Sequence, residues 1–148
     1  MAVREIWFAA CLLLSGVAHA GSAPAELNCV SESGKVKLAG AIPSPSSEEM
    51  QLKLSYADGS LTFDSNANQS FLVADFPQSV FTLVVAAQDQ PLTLYAMPSS
   101  MTVKRQDNGD DAGKFQAKLL APRPSSVSGV QGNTPLKATL NCAYRYSL

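Results

Sequence analysis

Leu136-Lys137-Ala138-Thr139-Leu140-Asn141-Cys142-Ala143-Tyr144-Arg145-Tyr146-Ser147-Leu148 alternates apolar and polar side chains almost without a break, Ala143 being the one small exception. Successive side chains of an extended chain point to opposite faces. Leu136, Ala138, Leu140, Cys142, Tyr144, Tyr146 and Leu148 therefore share one face, and Lys137, Thr139, Asn141, Arg145 and Ser147 share the other. This is the period of a long strand with one face in a core and one in water. It also aims Cys142 into the core.

Cys142 asks for a partner. The other cysteine beyond the first twenty residues is Cys29, which follows Leu27 at the same alternation. A disulfide between them closes 113 residues of chain. Such a bond needs Cα atoms within about 7 Å, so the first and last strands lie side by side or face each other across a core. A redox or metal site would call for a C-x-x-C pair or for further Cys and His ligands, and the sequence has neither there.

Between these ends lie more short alternating runs. Lys35–Ile42 turns Val36, Leu38 and Ile42 inward and Lys35 and Lys37 outward. Met50–Asp64 reads as a hairpin about Asp58-Gly59, a favoured pair for a two-residue turn with positive φ. That turn sets Tyr56 against Leu61, Leu54 against Phe63 and Lys53 against Asp64. Phe71–Phe76, Leu92–Met97, Met101–Arg105 and Lys114–Ala121 follow, and Val80–Ala87 is apolar on both faces, which predicts a central strand. Many short strands parted by Gly, Pro, Asn and Ser predict an all-β fold. The expectation is an antiparallel β-sandwich of about eight to nine short strands, closed by one disulfide, Cys29–Cys142, between the N- and C-terminal strands. The Pro122–Pro135 loop is long enough to raise the question of a function.

Met1–Ala20 reads as a secretory signal peptide: Arg4, then an apolar run from Ile6, then Ala18-His19-Ala20 as a cleavage site. The run is shorter than the ~20 residues a membrane-spanning helix needs. Cleavage near Ala20 leaves one domain, 21–148, secreted or periplasmic, with no transmembrane segment. It also removes His19 and Trp7, the single His and Trp of the 148 residues, together with Cys11.

That loss narrows the chemistry. Without His the domain builds no Ser-His-Asp mechanism and no His-ligated metal site. No lysine beyond the leader completes an S-x-x-K motif, and Gly109–Lys114 falls one residue short of a phosphate loop. Eleven Lys and Arg against twelve Asp and Glu give a net charge of −1, so no basic field invites nucleic acid. Asp107, Asp110 and Asp111 crowd one turn and are weak candidates for calcium, although turn chemistry alone explains them. Asp64, Asn66, Asn68 and Asp75 partly imitate an EF-hand loop, with Gln69 where glycine belongs. Asn68-Gln69-Ser70 is a glycosylation sequon.

The expectation is an exported protein with no cofactor and no catalysis, binding an unidentified protein or glycan or serving a structural role. A small hydrolase using two of Glu48, Glu49, Asp64, Asp75, Asp107, Asp110 and Asp111 is the alternative. A small outer-membrane β-barrel is the third: the Tyr144, Tyr146, Leu148 end resembles its last strand, while lysines on the other strands speak against it.

Overall fold

Where the alternation runs, strands form. The computed structural model describes residues 23–127 and 129–148, so the expected leader Met1–Ala20 lies outside the described residues. Within them are β1 (Ala25–Ser31), β2 (Val36–Ile42), β3 (Gln51–Tyr56), β4 (Gly59–Asp64) and β5 (Ser70–Asp75). β6 (Val80–Val85), β7 (Leu92–Ala96), β8 (Lys104–Arg105), β9 (Asp111–Ala121) and β10 (Leu136–Tyr146) complete the set.

All ten belong to one antiparallel sheet, in the order β4-β3-β2-β1-β10-β9-β7-β6-β5, with β8 paired to β9 off this path. The expected two-sheet sandwich is thus replaced by a single sheet curled into a half-barrel. Two meanders, β1 to β4 and β5 to β10, are joined where β10 pairs β1. The meanders attach at different heights: β1 lies along Leu140–Arg145 of β10, whereas β7 lies along Ala117–Leu120 of β9. This stagger is the shear that makes a sheet wrap on itself. Leu27, Leu38, Leu52, Leu54, Phe81, Leu83, Leu94, Phe115 and Leu140 project inward from seven strands into one core.

Neighbours on the nine-strand path alternate in direction, so its two end strands, β4 and β5, point the same way. They cannot complete the antiparallel pattern. The seam of the half-barrel stays open there.

The disulfide forms as expected, between strands lying side by side. Cys29 stands opposite Cys142 in the β1–β10 register, with Cα atoms 4.0 Å apart and both side chains buried. The alternation of β10 holds through Tyr146, but Leu148 is 71% exposed, because the strand ends before it. β6 is not central: it lies second from the β5 edge, with Thr82 and Val84 half-buried on its outer face.

The hairpin keeps its faces and shifts its register. Tyr56 pairs with Gly59, Leu54 with Leu61 and Leu52 with Phe63, so Lys53 meets Thr62 and Asp64 meets Gln51. Ala57 and Asp58 make the turn, with Ala57 at φ 49°. Gly59 serves a different need. A Cβ at Gly59 would overlap the Ser125 carbonyl, and the adjacent Gly129 N–H donates to the Ser60 carbonyl at 2.8 Å. The Pro122–Pro135 loop is therefore a strap laid on the β4 edge. Arg123 anchors its root, stacking 5.0 Å from the Tyr56 ring centre and donating to the Thr134 and Pro135 carbonyls.

Candidate functional site

At the open seam β5 ends the sheet, and among the described residues no strand pairs its free edge. Ser70, Leu72 and Ala74 stand opposite buried Val85, Leu83 and Phe81, so they face inward, yet none of the three is buried. The space over them is a cleft of about 1500 Å³. Its far side is the Pro43–Glu49 loop, and its floor comes from Phe76, Val103 and Tyr144. Charges rim it: Glu48, Glu49, Asp75, Lys104, Arg105 and Asp111.

Each wall has a local cause. Pro43 and Pro45 cannot donate to a ladder, so β2 ends and the chain turns through a Ser44–Ser47 bridge. Tyr146 Oη donates to Ser46 Oγ at 2.9 Å and ties that loop to β10. Phe76 packs against Tyr144 with ring centres 4.8 Å apart, and Phe81 and Phe115 continue the aromatic stack into the core at 4.8 Å.

Asp111 is the one buried charged residue among the described residues, 5% exposed. Its Oδ1 accepts from Arg105 Nε at 3.3 Å. Burial raises the Tyr144 hydroxyl to about 12, helped by the Asp111 charge and Tyr146 and opposed by Arg105. The folded state thus holds this proton more tightly than the unfolded chain, whose tyrosines titrate near 10. Its contribution to stability is complete below about pH 10 and disappears as pH rises toward about 12. Absorbance titration is expected to show a late component that is missing in Tyr144→Phe; that variant should also flatten the stability loss over this window. A Tyr144→Phe titration identical to the parent's would contradict the assignment.

The expected site residues separate. Asp107 is exposed. Asp110 accepts from the Leu148 N–H at 2.9 Å and from Asn108 Nδ2 at 3.0 Å, fastening the chain end. Asp111 points instead into the cleft with Arg105. No group of three His, Cys, Asp or Glu side chains among the described residues is placed to hold a metal ion. Asp64 Oδ1 accepts from the Asn66 and Ala67 N–H groups, an Asx turn rather than an ion loop. Asn68 ties the end of β4 to the residue after β6, its Oδ1 accepting from the Asp64 N–H and its Nδ2 donating to the Ala86 carbonyl.

Phe76, Val103, Arg105 and Tyr144 were not separable from ordinary strand residues by their sequence context. They meet only because the sheet curls. Comparison with models of known families, with curated proteins and with solved structures finds no match for this chain. No helix among the described residues is long and apolar enough to cross a membrane.

Proposed function

We propose that this is an exported, non-catalytic binding protein that holds a small amphipathic ligand in the cleft beside β5. The observation that carries this reading is the cleft itself, with an apolar floor under a charged rim. Its volume is ample for a small molecule, and a few polar groups around an apolar floor are the usual composition of ligand sites. Export after cleavage near Ala20 is part of the proposal; a buried disulfide accords with an oxidising compartment. The ligand would lay its apolar part on Phe76 and Leu72 and meet Arg105 or the Glu48–Glu49 carboxylates with its polar end.

Anilinonaphthalene sulfonate, apolar rings bearing one anion, is the probe. Its fluorescence is expected to rise on binding to the folded protein with one-to-one stoichiometry. Phe76→Ala should weaken the binding by about tenfold or more, since an aromatic face is lost from the floor. Absence of binding to the folded parent, or binding untouched by Phe76→Ala, would overturn the cleft as the ligand site.

A further inference from the structure

The two edges of the seam are treated differently. Antiparallel ladders alternate between residues that bond their neighbour strand and residues whose N–H and C=O point away. On β4 the Ser65 N–H bonds Met50, so Ser60, Thr62 and Asp64 face outward from the sheet. That edge is covered at its two ends: the Ser60 carbonyl accepts from Gly129, and the Asp64 N–H and carbonyl are taken by Asn68 and Ala67, which leaves Thr62 between them. On β5 the Ala86 N–H bonds the Gln69 carbonyl, so Ser70, Leu72 and Ala74 face outward. Among the described residues none of these six groups has a backbone partner at the edge.

Bare edges are normally defended by lysine, proline, a bulge or a covering loop. Among the described residues β5 (Ser-Phe-Leu-Val-Ala-Asp) has none of these. Its outward face instead shows Phe71, 65% exposed, and Val73, 39% exposed.

We propose that β5 is a homodimerisation edge, pairing antiparallel with β5 of a second copy about a two-fold axis at Leu72. The register is self-consistent. With Leu72 opposite Leu72 of the second copy, Ser70 meets Ala74 of the second copy, and all three outward-facing residues fall in bonding positions. Six backbone hydrogen bonds result. Phe71 then lies against Val73 of the second copy on the outer face, an aromatic and β-branched cross-strand pair. Asp75 falls opposite Gln69, so no like charges are opposed. The contact is isologous and consumes the bare edge of each copy. Since β4 is tied at both Ser60 and Asp64, with Thr62 alone left between them, that edge offers no run of free groups for a third copy. An extended segment of another protein could use the same groups, but it would have to bring its own apolar residues, whereas a second copy supplies matching ones at every position.

Analytical ultracentrifugation of the purified, oxidised protein is the test, joined to cysteine cross-linking that reads the register. The parent is expected to sediment as a dimer in the micromolar range, with no larger species. Ala74→Pro removes one edge N–H that β6 does not use, and Val73→Lys puts a charge against Phe71. Each is expected to weaken the dimer by about tenfold or more while the circular dichroism spectrum stays that of the parent. Under mild oxidation Leu72→Cys should cross-link to a covalent dimer, because it lies on the axis, whereas Phe71→Cys should not. A parent that stays monomeric, including one that binds a foreign peptide on β5, overturns the proposal. So does open-ended assembly, or cross-linking through Phe71→Cys and not Leu72→Cys. Phe76→Ala, which tests the cleft, leaves this edge intact and should sediment as the parent does.

Discussion

Removing the disulfide with Cys29→Ala and Cys142→Ala is expected to lower the unfolding free energy by about 2–5 kcal/mol. The bond closes a chain loop of 113 residues, for which the loop-entropy model gives about 4–5 kcal/mol before any loss of packing. The topology makes that loop more consequential than its length. β1 with β10 is the one pairing that joins the two meanders; the other path neighbours are adjacent or nearly so in sequence. Without the covalent tie, the unfolded chain must find this distant pairing by diffusion, at the full cost of closing a long loop. Refolding should therefore slow as well as stability fall. Chemical denaturation and stopped-flow refolding measure the two effects. A double variant as stable as the parent, or free thiols in the oxidised parent, would refute the role given to the bond.

Hydrogen exchange refines that expectation. After the proposed cleavage near Ala20, β1 would be near a chain end, and it is short, which would ordinarily mark it to fray first. It lies mid-sheet, however, paired on one side to β2 and on the other to β10, with Ala25 and Leu27 fully buried. In the double variant β1 should lose protection together with the core, in one global opening. β5, with one neighbour strand in its own chain, should open first in parent and variant alike at concentrations low enough to keep them monomeric.

These elements show what alternation reports. The period-two pattern of Leu136–Tyr146, of Val36, Leu38 and Ile42, and of Phe115, Ala117 and Leu119 placed each of these side chains on the buried face it occupies. The pairing of Cys29 with Cys142 followed from the same faces. Alternation says that a face is covered, but not by what. A second sheet and the far wall of a curled sheet impose the same period, so the sandwich expectation had no local signal against it. The decisive feature was the stagger between Leu140–Arg145 of β10 and Ala117–Leu120 of β9, a property of register between distant strands. Val80–Ala87 was misplaced at the sheet centre because two apolar faces normally mean two covers. Here the outer face is left half-open beside Phe71 and Val73. The cleft was illegible for a related reason: its lining comes from the Pro43–Glu49 loop, β5, Val103, Asp111 and Tyr144, which no spacing rule brings together.

Gly59→Val is expected to cost about 1–3 kcal/mol, and its cause separates a turn from a packing contact. The sequence placed Gly59 in the hairpin turn, where a β-branched residue would suffer at positive φ. In the structure Gly59 has left the turn and opens β4, and its φ is not positive. What forbids a side chain is the strap, whose Ser125 carbonyl occupies the place of a Cβ. Valine would push the strap away, break the Gly129-to-Ser60 hydrogen bond and uncover the β4 edge. Ala57 supplies the control, since it holds the positive φ at 49°. Glycine relieves strain there, so Ala57→Gly should leave the denaturation midpoint unchanged or raised. Were Ala57 an ordinary strand residue, as the expected register has it, the same change would lower stability by roughly 0.5–1 kcal/mol. A lowered midpoint for Ala57→Gly would return the turn to Asp58-Gly59, where Gly59→Val is costly as well, and an unchanged midpoint for Gly59→Val would contradict the turn and the strap alike. A lowered midpoint for Gly59→Val with an unchanged or raised one for Ala57→Gly fixes the turn at Ala57-Asp58 and makes Gly59 the seat on which the Pro122–Pro135 strap closes its edge of the sheet.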